Sequence, residues 1–347
     1  MLNKKYWKNK KVLITGHSGF TGSWLCFVLK LCGSKVYGLS LKPNTKPSLF
    51  QLLEIEKIIS NNYFLNINNK NKIEKIIKKI EPEIIFHLAA QPLVKLSITN
   101  PLETFQTNVM GTINICDISR KLIKLKKLIL VTTDKCYKNV DSKKISFFKE
   151  NDELGGNDPY SASKACAEIS INSYTNIFFK NKDIKISSVR AGNIIGGGDW
   201  SKDRLIPDIY RSIYSSKVLK IRYPNATRPW QHVLEVIGAY LKLAESNYSG
   251  PWNFGPNTKK SYKVRDILIY IRKMNKHLKW QITEPKEKQE SINLNLNVSK
   301  ARKKLKWKPK WDIKKTIIET DKWYRDFYNK KNIKKLTITQ IKEYFNL

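Results

Sequence analysis

The stretch KKVLITGHSGFTGSWLCFVLKLCGSKVYGLSL, residues 10–41, decides the fold. KKVLITG is a short apolar run of strand type, HSGFTG is a turn punctuated by glycine, SWLCFVLKLCG repeats apolar residues at helical spacing and closes on Gly33, and SKVYGLSL is a second strand. Strand, turn, helix and strand in that order predict a parallel βαβ unit. Gly16, Gly19 and Gly22 set the spacing GxxGxxG in the turn. Glycines there let the backbone turn tightly and come close to a pyrophosphate, while the helix N-terminus offers unpaired N–H groups and the positive end of its dipole. Three glycines alone are often just a turn; between a strand and a helix they predict a dinucleotide site.

The same grammar recurs downstream. PEIIFHLAA, KKLILVTTD and IKISSVRAGN are apolar runs ending in polar or small residues, and helical patterns lie between them (NPLETFQTNVMGTINICDISRKLIK, YSASKACAEISINSYTNIFF). Alternation of this kind predicts an α/β fold, a doubly wound parallel sheet covered on both faces by helices. Ligands of such sheets sit beyond the carboxyl ends of the strands. VTTDKCYK, residues 131–138, falls at one of those ends, so its Thr-Asp-Lys triplet belongs to the region where chemistry is expected.

Composition narrows the class. With 347 residues, 41% of them hydrophobic, and nine tryptophans, the chain can bury a sizeable core. No apolar run approaches the roughly 18 residues that span a bilayer, and MLNKKYWKNKKVLITG has no apolar segment of the export type, so a cytoplasmic protein without membrane contact is expected. Cys26, Cys32, Cys116, Cys136 and Cys166 contain no CxxC pair, and His17, His87, His232 and His277 are scattered, which leaves no metal site to propose. His87, on an apolar strand, reads as a core histidine. The net charge of +36 would ordinarily raise nucleic acid as a partner, but the lysines are spread through nearly every segment beside Asn and Ile. That distribution describes solvated faces rather than a nucleic-acid footprint.

In DPYSASKACAE, Tyr160 and Lys164 are four apart on one face of a helix that starts after Pro159, so the ammonium can lie near the phenol. Thr133, at a strand end, lies about 26 residues upstream. The glycine turn, Thr133, Tyr160 and Lys164 together resemble the short-chain dehydrogenase/reductase superfamily in its extended, sugar-nucleotide-modifying form. The longer strings TGHSGFTGSWL, PSLF, HLAAQPLV, TNVMGT, TDKCY, GGNDPYSASKACAE, SVRAGNIIGGGDWSKDRLIPDI and RPWQHVLE follow one another as in the CDP-glucose 4,6-dehydratases, from about residue 10 to about residue 325. Related dTDP-glucose dehydratases carry Thr-Asp-Glu where this chain has Thr133, Asp134 and Lys135, which favours the cytidine branch.

The resemblance implies a lyase that uses NAD internally while making a deoxysugar precursor for surface polysaccharide such as lipopolysaccharide. It implies Tyr160 as the base at the sugar C4 hydroxyl, with Thr133 bonded to the same oxygen and Lys164 holding ribose and phenol. Asp134 and Lys135 share the elimination of water across C5 and C6, with the division between them left open. Gly16, Gly19, Phe20, Gly22, Ala89 and Ala90 are implied to line the cofactor, with Asn66 and Ile67 near its adenine. Gln91 is expected to face the hexose, and Asn193, Arg204 and Arg228 to approach the diphosphate. Many relatives have an acid at the end of the second strand for the adenosine ribose; this chain has Ser40 there, which weakens any rule excluding NADP.

The expected organisation is a Rossmann-type domain over 1–192 to which 232–256 returns, a smaller substrate domain over 193–231 and 257–330, and a lysine-rich tail over 331–347. A homo-oligomer, dimer or tetramer, is implied. Two other readings stay open: another nucleotide-sugar dehydratase, epimerase or reductase of the superfamily, and a non-catalytic NAD- or RNA-binding scaffold.

Overall fold

A computed structural model describes residues 2–139, 147–256, 262–284 and 294–347. The expected substrate-domain segment 257–330 therefore includes residues 257–261 and 285–293 that lie outside the described residues.

The opening stretch folds as its pattern predicts. Strand β1 (Lys11–Thr15) leads into helix α1 (Phe20–Leu31) and then strand β2 (Lys35–Ser40). Five further strands complete the main sheet: β3 (Asn61–Phe64), β4 (Ile84–His87), β5 (Lys127–Val131), β6 (Lys185–Ala191) and β7 (Gly250–Phe254). Their spatial order is β3-β2-β1-β4-β5-β6-β7, and every neighbouring pair is parallel. The order reverses between β1 and β4, the switch point beyond which such sheets bind ligands. Register carries this edge further: Thr15 lies opposite His87, His87 opposite Leu130, and Leu130 opposite Ser188. The chain thus leaves β1, β4, β5 and β6 at nearly one level, and the loops that follow them share one mouth.

Side chains alternate across the sheet, as the pleat requires. Val12 and Ile14 pack with Trp24 and Val28 of α1 on one face, while Leu13, Leu39 and Ile85 belong to the core on the other. Helix α2 (Lys70–Ile80) covers this second face. It buries Ile73, Ile77 and Ile80 and turns its lysines outward, each isoleucine contributing roughly 1.5–3 kcal/mol. Helix α3 (Gly111–Ser119) and helix α4 (Pro159–Tyr174) follow. Helix α4 starts where its sequence dictates, with Pro159 in its first turn and the Asp158 carboxylate accepting the N–H of Ser161 at 3.0 Å. Residues 232–256 supply helix α5 (Val233–Glu245) and β7. Leu219–Ile221 pairs in parallel with Trp280–Ile282 outside the main sheet.

The lysine-rich carboxy terminus is helical and packed: after helix α6 (Ile313–Tyr328), helix α7 (Ile333–Phe345) docks into the larger core through Ile333, Leu336, Ile341, Tyr344 and Phe345. Its Tyr344 hydroxyl donates to Glu235 Oε2 at 2.6 Å, and Glu235 Oε1 accepts the N–H groups of Lys310 (2.8 Å) and Trp311 (2.6 Å). A buried carboxylate at the start of α5 thus ties the end of the chain to the sheet. Tyr344→Ala removes the ring from the core and one donor from that carboxylate, so it is expected to destabilise the fold by about 3 kcal/mol or more. A urea-unfolding midpoint shifted down checks this; an unchanged midpoint would mean that α7 adds nothing to the stability of the core.

Candidate active site

The three glycines of the turn do different work. Gly16 has φ +75°, and a Cβ there would lie 2.7 Å from Ala89 N, so glycine is required where β1 hands over to the loop. A Cβ on Gly22 would lie 2.2 Å from Gly16 O, which keeps the first turn of α1 against the strand end. Gly19, at the N-cap, would meet only Gly16 O at 3.4 Å. Its free side is where a bound group can approach the unpaired N–H groups of α1.

The loop after β4 is held by a chain of hydrogen bonds that fixes a tautomer. Thr112 Oγ1 donates to Asn108 O (2.7 Å), so it accepts from His87 Nε2 (3.2 Å); His87 Nδ1 then accepts from Thr15 Oγ1 (2.7 Å), which in turn accepts the N–H of Ala89 (3.2 Å). Burial pushes the His87 imidazole down to about 3, so it stays neutral, the satisfied core histidine its strand implied. Ala89 and Ala90 are set in place by this chain, and Ala90 reaches the cavity beyond the strand ends.

That cavity, about 410 Å³, gathers Phe20, Ala90, Thr133, Asp134, Lys135, Tyr160, Lys164, Asn193, Arg204 and Arg228. Residues separated by more than 200 positions meet there because the strand ends are level. Thr133 Oγ1 caps the short turn Asp134–Cys136, accepting the N–H of Lys135 at 3.3 Å and donating to Asp134 Oδ1 at 3.1 Å. Asp134 is 2% exposed, and its Oδ2 has no hydrogen-bond partner among the described residues. Burial pushes its carboxyl above the ordinary value; the charges of Lys135 and Arg228 and the Thr133 hydroxyl pull the other way without cancelling it. The Lys135 side chain lines the cavity half-buried and makes no ion pair or hydrogen bond with the described residues.

Tyr160 is pushed up to about 12 by burial, with the Thr133 hydrogen bond and the charge of Arg204 acting in the opposite direction. Burial brings the Lys164 ammonium down to about 8, against the charges of Glu168 and Cys136, and its Nζ donates to Val131 O at 3.3 Å. Arg204 is oriented by Asp199, Nη1 to Oδ2 at 2.9 Å. Arg228, 6% exposed, donates to Thr227 O at 2.8 Å. Asn193 sits at φ +22° and its carbonyl accepts the N–H of Gln231.

Three of the expected contact residues lie outside this cavity in the structure. Gln91 is spent on its own loop: its Nε2 donates to Leu93 O (3.1 Å) and Thr104 Oγ1 (2.9 Å), and its Oε1 accepts the N–H of Leu93 (2.6 Å). It braces the loop and does not line the cavity. Asn66 Oδ1 accepts the N–H of Asn68 at 2.9 Å, which closes a local turn and leaves the oxygen a second lone pair. Ile67 is buried in the core against Gly111. Ser40 is likewise turned inward, its hydroxyl on Ser18 Oγ (2.9 Å) and Leu41 O (2.8 Å).

Other residues matter that pattern reading passed over. Gly192 makes room for Asp134: a Cβ there would lie 1.9 Å from Asp134 Oδ2. Asn108, in TNVMGT, links Gln91 to α4 through Gln91 N (2.8 Å), Gln91 O (3.1 Å) and Ser163 Oγ (2.9 Å). Asp199 aims Arg204. The strings RAGN, TNVMGT and GGGDW contain all three, but which member of a string carries a contact is a matter of tertiary packing.

Sheet order, glycine turn and the Tyr-Lys helix define a short-chain dehydrogenase/reductase of the extended class. The sequence pattern of the GDP-mannose 4,6 dehydratase family matches residues 13–320, and the chain belongs to that family. It is 38% identical over 337 residues to a CDP-glucose 4,6-dehydratase of Salmonella typhimurium, covering 94% of this chain and 93% of that protein. A dTDP-glucose 4,6-dehydratase of Haemophilus influenzae is 25% identical over 337 residues, covering 90% of this chain and 97% of that protein. Among solved structures, UDP-glucose 4-epimerase of Thermotoga maritima superposes with a TM-score of 0.82 at 21% identity, covering 91% of this chain and 99% of that one.

The buried carboxyl makes a stability prediction. A carboxyl whose value is raised in the folded protein costs stability as pH rises above its ordinary value of 3.8, because only then does the unfolded chain ionise it freely. Asp134→Asn removes that cost while keeping the shape. The variant is therefore expected to be more stable than the wild type at neutral pH, with the advantage shrinking to nothing as pH falls below about 4. Thermal unfolding across that range checks it; a variant less stable at neutral pH would mean that Asp134 is an ionised structural anion.

Proposed function

We propose that the protein is a CDP-glucose 4,6-dehydratase, converting CDP-glucose to the 4-keto-6-deoxy sugar with NAD as internal redox partner. The observation that carries the reading is the single cavity in which a buried phenol, a buried carboxyl with one unpaired oxygen and a lysine lie at the end of one parallel sheet, beyond a glycine turn open at Gly19. The open side of Gly19, the α1 N-terminus and the Lys164 ammonium fit a dinucleotide's pyrophosphate and ribose. NAD, when bound, supplies reversible storage of the hydride taken from C4 and returned to C6.

The chain's own groups divide the remaining work. Tyr160 takes the C4 hydroxyl proton, and Thr133 bonds the same oxygen; Lys164, one helical turn on, stabilises negative charge on the phenol. The 4-ketone acidifies C5–H. Elimination then needs a base at C5 and an acid at the C6 hydroxyl. Asp134, whose burial favours the protonated carboxyl, is the acid, and its proton leaves with the C6 oxygen as water. Lys135 is the group left to face C5: as the free amine it takes the C5 proton, becomes the ammonium, and later returns that proton to C5. Arg204 and Arg228 suit the diphosphate, since planar guanidinium groups bond phosphate oxygens in pairs. A homo-oligomer goes with this reading; Leu102, Met110 and Ile169, exposed on adjacent helical segments, offer apolar surface for it.

Incubation with CDP-, dTDP-, UDP- and GDP-glucose tests the substrate: a 4-keto product absorbing in alkali is expected from CDP-glucose foremost, and turnover of another nucleotide sugar alone would move the protein to a sister activity. Gly19→Val is expected to leave the fold intact and abolish NAD binding by calorimetry, and unchanged affinity would sink the site. Tyr160→Phe is expected to lose about 10²–10⁴ in kcat and to stop before any reduced cofactor appears. Lys135→Ala is expected to stall later, with reduced cofactor and a 4-keto-glucose intermediate accumulating. Wild-type turnover in Lys135→Ala would remove that lysine from the chemistry.

A further inference from the structure

Behind the cavity lies a buried polar ring to which the proposed chemistry gives no role. Glu168 stands one turn past Lys164 on α4 and is 3% exposed. One of its oxygens accepts from the Thr132 hydroxyl; the other accepts from Ser188 Oγ at 2.8 Å and Arg190 Nη2 at 2.7 Å. Arg190, on β6 and also 3% exposed, donates through Nη1 to the Tyr137 hydroxyl and to the Glu150 carbonyl, 2.9 Å each. Its guanidinium carbon lies 4.9 Å from the Tyr137 ring centroid, and the Tyr137 hydroxyl donates to Asn253 Oδ1 at 2.7 Å.

Thr132 is the residue that follows β5, and Tyr137 directly follows the short turn Asp134–Cys136. Glu168 holds the entry of the loop and Arg190 holds its exit, and the ion pair joins the two holds. Everything between them, Thr133, Asp134 and Lys135, is thereby spanned by one rigid clamp. Stability alone is a weak reason for such a pair, because apolar residues of similar shape in place of a buried ion pair are often neutral or stabilising. Placement of three reacting side chains is a better one, since a displacement of about 1 Å at a reacting group costs on the order of 10²-fold in rate.

We propose that the Glu168–Arg190 pair is the positioning device of the catalytic turn, fixing the aim of Thr133, Asp134 and Lys135, with Glu168 standing one helical turn from Lys164 on α4. The roles of those four residues rest on the dehydratase reading; the clamp itself does not. The groups that bear on Lys164 are Glu168 on its own helix and Cys136 on the turn, with the neutral His87 imidazole on β4 and Arg190 reaching it through Glu168. Of these Glu168 is the anion, and it acts to raise the Lys164 value.

The test compares Glu168→Gln, Tyr137→Phe and Ser188→Ala in the full chain. Ser188→Ala removes a bond to the same carboxylate that does not grip the turn. In the protein without ligands, hydrogen exchange in the peptide covering 131–138 is expected to rise about tenfold or more in Glu168→Gln, less in Tyr137→Phe and not in Ser188→Ala, with α1 and β1 unchanged in all three. With CDP-glucose and NAD, kcat is expected to fall by about 10–100-fold in Glu168→Gln while KM stays within about threefold. The alkaline limb of its pH profile is expected to move to lower pH, because loss of the anion lets Lys164 give up its proton sooner. Tyr137→Phe lowers kcat in the same direction without moving that limb, and it decides the matter if Glu168→Gln does not fold. Exchange raised uniformly along the chain, or wild-type exchange and kcat in both variants, would overturn the proposal. Failure of the wild type itself to convert CDP-glucose would dismiss the dehydratase reading, while the exchange arm still judges the clamp.

Discussion

Keeping a carboxyl group out of water at the mouth of a parallel sheet is the constraint on which the rest of this site depends. A buried ionised carboxylate with an unpaired oxygen is costly, so the protonated form is favoured, and a proton donor is obtained from a residue that at the surface would be a base. Several features exist to maintain that state. Gly192 leaves the space that Asp134 and Pro229 fill, and Thr133 bonds one carboxyl oxygen while the other has no partner among the described residues. The same burial raises the Tyr160 phenol and lowers the Lys164 ammonium, so one dry environment tunes all three groups in the directions that favour their neutral forms. On the cavity wall Lys95, Lys220, Arg204, Arg222 and Arg228 outnumber Asp199, Asp203 and Asp208, so an anionic substrate can be held there.

The architecture explains how residues so far apart in sequence share this environment. Parallel register sets Thr15, His87, Leu130 and Ser188 in one row, and the loops after those positions carry the glycine turn, the two alanines, the catalytic turn and Gly192. Helix α4 crosses behind them with Tyr160, Lys164 and Glu168 spaced by one turn each, the first two toward the cavity and the third into the buried ring. Rigidity at the site is thus a property of the sheet edge and of one helix face rather than of any single loop.

Much of this was legible in the sequence, for reasons that can be named. Period-two runs and glycine punctuation are local signals, so β1, α1 and β2 were readable from residues 10–41 alone, and the Tyr160–Lys164 pair follows from helical spacing. What was not legible is how individual side chains are used in the fold. Gln91 has the chemistry of a sugar contact, and in the structure its amide bonds Leu93 and Thr104. Asn66 accepts the N–H of Asn68. The lysines of 331–347 hid an apolar stripe whose partner, the Glu235 region, lies about a hundred residues upstream. Glu168 sits inside a string whose resemblance was plain, but only the fold reveals that it binds Arg190 rather than solvent.

Internal hydride transfer is the central claim, and CDP-glucose carrying deuterium at C4 tests it most directly. Turnover in ordinary water, with excess unlabelled NADH present, is expected to yield a 4-keto-6-deoxy product whose C6 methyl group carries the deuterium, read by mass spectrometry and proton NMR. Product without label at C6, with the deuterium instead in released NADH or in water, would contradict a single cavity that holds the cofactor and both sugar carbons through one catalytic cycle.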